Sequence, residues 1–201
     1  MNVPHTESVA AAATAQITVK TPERMRELGR GLAALLRPGD LVLLTGELGA
    51  GKTTLTRGLG EGLDVRGAVT SPTFVIARVH PPLGDGPALV HVDAYRLNGG
   101  LDEMEDLDLD VSLPESVVVV EWGDGKVEEL SEDRLHVVIE RAVGSSAPAA
   151  SGDGYDGGDG DGDGDGYDDG DDVRDVTLTG VGARWAGVDL AALGELGASA
   201  G

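Results

Sequence analysis

The chain predicts an α/β fold: a P-loop NTPase-like sandwich in which helices cover both faces of a mixed, mainly parallel central sheet. Three stretches carry that expectation. Gly46-Glu47-Leu48-Gly49-Ala50-Gly51-Lys52-Thr53 matches G-x-x-x-x-G-K-[ST] and lies between an apolar run, Leu41–Leu44, and a segment, Thr53–Leu63, that can be helical. Val117-Val118-Val119-Val120 is an unbroken β-branched run, as strands buried on both faces are. Phe74–Val79 and Ala88–Val92 flank a Pro/Gly-rich turn and read as a hairpin, which makes the sheet mixed.

The remaining elements follow in order. Residues 1–15 are Ala- and Thr-rich without periodicity and read as a disordered tail. Gln16–Lys20 alternates as a strand does. Thr21 suits an N-cap with Pro22 at the first helical position, and Met25, Leu28, Leu32, Leu35 and Leu36 make one apolar face before Pro38-Gly39-Asp40. Glycines at 29, 31, 58, 60 and 62 weaken the two helices by about 1 kcal/mol each relative to Ala, so packing rather than propensity must hold them. Asp102–Asp110 is acidic and leucine-spaced, consistent with short helices, and Arg134–Arg141 reads as a strand.

Composition sets further bounds. The chain has 201 residues, 40% of them hydrophobic and only 3% aromatic, so the core must be aliphatic. It contains no cysteine, which removes disulfides, thiolate metal sites and a cysteine nucleophile. Its N-terminus lacks the basic flank of a signal peptide and no apolar run approaches membrane-spanning length, so a cytoplasmic protein is expected.

Of the net charge of −21, ten units fall between residues 145 and 172, which hold ten aspartates and no Lys or Arg, and the rest of the chain sums to −11. Gly152–Asp172 is nearly all Asp and Gly, too polar to repay its ordering entropy, and is expected to be disordered. It lacks the apolar residue per period that calcium-binding repeats need. Strand alternation resumes at Val173–Val181, so the acidic run reads as an insertion between two strands of one domain. The expected organisation is a tail (1–15), a P-loop domain (16–144), the insertion (145–172), a returning strand of the same domain (173–184) and a C-terminal tail (185–201) containing a loosely attached helix. The rest of the chain is still acidic, which argues against direct binding to a phosphate backbone.

The loop residues Glu47, Leu48, Gly49, Ala50, Gly51, Lys52, Thr53 and Thr54 would cradle phosphates through backbone N–H groups and the start of the following helix. Lys52 would reach the β- and γ-phosphates, and the Thr53 hydroxyl would ligate Mg2+. A triphosphatase also needs a strand-end carboxylate, and both Asp93 and Glu121 qualify, each ending a buried run near the ligand crevice. His91, two residues before Asp93, reads as strand-face packing in preference to ligation. Trp122 could cap the core or sense the nucleotide. Thr73 could meet a phosphate or simply sit in a Pro-stiffened turn. No N-K-x-D tetrapeptide occurs, so ATP is expected over GTP.

Four segments together, Gly46–Thr54, Ser71-Pro72-Thr73-Phe74, His91-Val92-Asp93-Ala94-Tyr95-Arg96-Leu97 and Val120-Glu121-Trp122, resemble the bacterial TsaE (YjeE) family of P-loop ATPases in order and spacing. The resemblance covers about Ile17–Glu140 and the strand after the insertion. It implies an ATPase that takes part in the threonylcarbamoyl-adenosine modification of tRNA at position 37, acts with the TsaB–TsaD pair, and hydrolyses ATP weakly without it. It implies further that Thr53 and Glu121 hold Mg2+, that Asp93 positions or deprotonates water, and that Ser71–Phe74 and Glu121–Trp122 switch. The tRNA would then be held by the partners. A small phosphotransferase, with Asp93 as base and Arg96 clamping phosphate, and a nucleotide-gated binding module without turnover remain the alternatives.

Overall fold

A computed structural model describes residues 13–72, 76–96, 113–123, 131–142 and 173–195. Residues 1–12 of the expected tail (1–15), residues 73–75, residues 97–112 with the short helices expected over Asp102–Asp110, residues 124–130, residues 143–172 with the acidic insertion, and residues 196–201 lie outside these residues.

Seven strands form one sheet: β1 (Ala13–Val19), β2 (Leu41–Thr45), β3 (Ala77–His80), β4 (Ala88–Asp93), β5 (Ser116–Glu121), β6 (Arg134–Arg141) and β7 (Arg174–Val181). Their spatial order is β1-β7-β6-β2-β5-β4-β3. The four central strands, β6, β2, β5 and β4, run parallel. Antiparallel partners flank them, β3 on β4 at one side and β7 and β1 at the other. The parallel centre matters for the site, because β2, β5 and β4 deliver their C-terminal ends to one edge.

The pleat divides the core. Val42, Leu44, Val117, Val119, Leu135 and Val137 face one side, where α1 (Pro22–Ala33) and α2 (Lys52–Gly62) pack on them. Leu41, Leu43, Val90, Val92, Val118 and Val120 face the other, against Ile76, Ala77 and Leu113. Among the described residues both long helices thus lie on the first face.

The α1 start is as expected: Thr21 is the N-cap, its hydroxyl accepts the Arg24 N–H at 3.2 Å, and Pro22 opens the helix. The helical glycines have a reason beyond flexibility. A Cβ on Gly58 would meet the Arg26 carbonyl oxygen at 2.1 Å and one on Gly29 the Leu55 oxygen at 2.4 Å, so the two helices touch backbone to backbone there.

Two expectations change at the ends. β1 begins at Ala13, inside the segment read as tail. The reading of the chain from Trp185 onward as loosely attached is corrected, because Trp185 is fully buried and Leu190 and Leu193 join the same core. Gly180 makes room for this indole: a Cβ there would lie 2.5 Å from that of Trp185. The segment ends in a short helix, α3 (Ala192–Glu195). Arg184 locks it down by donating from Nε and Nη2 to the two oxygens of buried Asp40, at 2.9 and 2.8 Å.

Candidate functional site

Where β2 ends, the chain turns through Gly46, Gly49 and Gly51 with φ of 155°, 79° and 111°, and Gly51 caps α2 in the left-handed region. Side chains would be strained there, and Gly46 also sits where a Cβ would meet the Ile139 carbonyl oxygen at 2.5 Å. The loop curls around Lys52. Its ammonium donates to the carbonyls of Gly46 (2.7 Å) and Glu47 (2.9 Å) and lies 3.8 Å from the centre of the Trp122 ring. Burial lowers the Lys52 pKa below its usual value, while the nearby Glu121 and Asp93 carboxylates partly oppose that shift.

Strand register assembles the acids. Glu121 ends β5 directly beside Asp93 of β4 on one side and Leu44 of β2 on the other. Both carboxylates therefore stand next to the loop, and both are buried. Thr53, in the first turn of α2, donates from Oγ1 to Glu121 Oε1 at 3.1 Å. The same oxygen lies 2.8 Å from His91 Nε2. Asp93 Oδ1 accepts the Tyr95 N–H at 3.1 Å, which turns the chain as it leaves β4.

Trp122 follows Glu121 with φ of 62°, a left-handed conformation rare for a bulky residue. That turn swings the indole over Lys52 and to within 5.4 Å of the Tyr95 ring. The result is an open cavity of about 590 Å³. Leu48, Gly49, Gly51, Lys52, Thr53 and Thr54 form its floor and rim, with Asp93, Glu121 and Trp122 opposite. Glu47 and Ala50 lie outside it and line a neighbouring cavity of about 450 Å³ that runs along the end of β6. Ser71 also lines the first cavity, as does Tyr95, which the sequence places in a family-like segment without a role of its own. The signal for Tyr95 was its place just beyond a strand-end acid. His91 was read as packing; its ring is fully buried and also bonds Glu121.

These groups suit a triphosphate with a hard cation. The Thr53 hydroxyl and the Glu121 carboxylate supply adjacent oxygen donors, which Mg2+ prefers. Among the described residues no group of three or more His, Asp or Glu side chains forms a metal cage. A Mg2+ ion at this position would take Thr53 and Glu121 as its protein donors, with phosphate oxygens and water completing its shell, as Mg2+ commonly binds.

Comparison with known proteins places this geometry. The family model described as "Threonylcarbamoyl adenosine biosynthesis protein TsaE" matches residues 19–147. The chain belongs to the TsaE family. A TsaE of Streptomyces coelicolor, named a tRNA threonylcarbamoyladenosine biosynthesis protein, is 69% identical over 84% of this chain and 99% of its own length. The Bacillus subtilis TsaE is 37% identical over 82% of this chain and 84% of its own. The fold matches the crystal structure of Bacillus subtilis YdiB with a TM-score of 0.60 and 31% identity, covering 87% of this chain and 90% of that one. The P-loop NTPase-like sandwich is thus the TsaE fold, and the role of this TsaE chain lies in threonylcarbamoyladenosine biosynthesis. Among the described residues no helix is long and apolar enough to cross a membrane.

Proposed function

We propose that this chain binds ATP with Mg2+ in the 590 Å³ cavity and hydrolyses it as the nucleotide-cycling component of tRNA threonylcarbamoyladenosine synthesis, working with a TsaB–TsaD pair in the cytoplasm. The observation that carries this reading is the convergence of the Lys52 ammonium, the Thr53 hydroxyl and the Glu121 and Asp93 carboxylates around one glycine-curled loop.

The chemistry follows from their placement. Arriving phosphates take over the Lys52 ammonium from the Gly46 and Glu47 carbonyls, a charge-assisted exchange. Backbone N–H groups at the start of α2, which have no carbonyl partner within the helix, point at phosphate oxygens. Bound Mg2+ would neutralise charge on the β- and γ-oxygens. Asp93 holds a water in line with the γ-phosphorus. As the water oxygen bonds to phosphorus, the bond to the β–γ bridging oxygen breaks, ADP leaves, and the water proton passes to Asp93. Trp122, over Lys52, closes one side of the site. The acidic surface leaves the tRNA to the partners.

The test is hydrolysis of γ-labelled ATP by the purified chain alone and with TsaB–TsaD. Slow release of labelled phosphate, raised by the pair and lost in Lys52→Ala and Asp93→Asn, is expected. Label on an acceptor molecule would instead identify a phosphotransferase. Full support of tRNA modification by a variant that binds but does not hydrolyse ATP would identify a gated binding module.

A further inference from the structure

Glu121 is held from two directions, and only one hold belongs to the phosphate loop. Its Oε1 accepts the Thr53 hydroxyl at 3.1 Å and lies 2.8 Å from Nε2 of His91. His91 sits in the middle of β4, opposite Val119 of β5, with no exposed surface. A carboxylate offers only lone pairs, so the ring hydrogen belongs on Nε2. The other nitrogen, Nδ1, is buried with no hydrogen-bond partner among the described residues, and a hydrogen there would be an unsatisfied buried donor. A polar ring buried in a strand for packing alone would be better replaced by leucine, the residue two positions earlier on the same face.

Resting on the Mg–ATP reading above, we propose that His91 is a positioning residue: its Nε2–H fixes Glu121 Oε1, so that the carboxylate keeps one orientation and leaves its second oxygen to serve the metal and its water. The Thr53 hydroxyl can face the cation with a lone pair and still donate to Glu121, but a single hydrogen bond leaves the carboxylate free to pivot about it, and the imidazole removes that freedom. When the nucleotide complex forms, the imidazole bond persists and the carboxylate does not have to search rotamers. Metal ligands held by such outer partners lose about 10- to 100-fold in metal affinity when the partner is removed.

The experiment measures binding of a non-hydrolysable ATP analogue by calorimetry, with excess Mg2+ and with chelator, in wild type, His91→Met and His91→Gln. Met fills the site without a donor, whereas the Gln amide reaches the position of Nε2 with an N–H. For His91→Met the Mg2+-dependent affinity should fall at least tenfold while chelator affinity stays within about twofold, and His91→Gln should recover most of the loss. Equal losses with and without Mg2+, a Met variant indistinguishable from wild type, or a Gln variant as poor as Met would each overturn the positioning role. Absence of any Mg2+ effect in the wild type would sink the underlying Mg–ATP reading instead. Nitrogen chemical shifts of the His91 ring in the wild-type protein need no variant: hydrogen on Nε2 is expected, and hydrogen on Nδ1 alone would refute the proposal.

Discussion

Replacing Gly58 by alanine tests how the nucleotide-bearing helix is seated. On propensity alone the change should stabilise α2 by about 1 kcal/mol. The packing opposes it. The new methyl would lie 2.1 Å from the Arg26 carbonyl oxygen and 2.9 Å from that residue's Cα, whereas such carbon–oxygen contacts ordinarily settle near 3.3 Å. The helices must part by about an ångström, and the obstacle is backbone, which cannot rotate away. Overpacking of this kind costs about 1–3 kcal/mol, and a backbone obstacle belongs at the upper end. The net expectation is a loss of about 2 kcal/mol, or roughly 4–8 °C in Tm for a domain of this size. Gly84→Ala is the control, since a Cβ there meets nothing within 4 Å; its stability should change by less than about 0.5 kcal/mol. Thermal melts of the three proteins decide the matter. Because Gly58 lies about 7.5 Å along the helix from Thr53, the variant should also weaken nucleotide binding. A Gly58→Ala protein that melts at or above the wild-type temperature would refute the backbone-contact reasoning.

Other consequences are as direct. Lys52 has its pKa lowered by burial, so between its folded value and 10.5 the unfolded chain binds more protons than the folded one. The stability of wild type relative to Lys52→Met should therefore rise as pH climbs through that alkaline window and then level off, as urea titrations at several pH values would show; a flat or falling difference contradicts the assignment. Trp185→Ala empties a fully buried site and should cost about 3–5 kcal/mol, read from denaturant midpoints, whereas a loosely attached C-terminal segment would lose almost nothing. Joining β6 to β7 without Gly152–Asp172 should leave melting temperature and ATP binding nearly unchanged, because Arg141 and Arg174 already face each other across the antiparallel pair. A large loss of either would show that the acidic run has a structural part.

Much of the fold was legible because local chemistry and tertiary role coincide. The glycine-lysine loop, the four valines, the Thr21-Pro22 start and the hairpin turn each leave one economical conformation, and the structure has all four outside the undescribed residues. Less legible was anything that depends on what lies opposite. Gly29 and Gly58 looked like weak points in two helices, but they are where those helices meet. His91 looked like a packed strand residue because its partner is 30 positions away. Trp185 sat in a Gly- and Ala-rich end that gave no hint of the cavity left for it beside Gly180.

The sequence by itself determined that this chain has a phosphate loop, two strand-end acids and the company of segments that mark a TsaE. Those are matters of residue type and spacing, and they survive without coordinates. Only the tertiary structure decided which groups share an atom. The parallel register of β4, β5 and β2 sets Asp93 beside Glu121 and both beside the loop, and the left-handed turn at Trp122 brings the indole onto Lys52. Parallel strands are paired through connections that can vary in length, so their register is invisible in a linear pattern. That register makes a site of Thr53, Glu121 and His91, three residues from different elements that meet at one carboxylate oxygen.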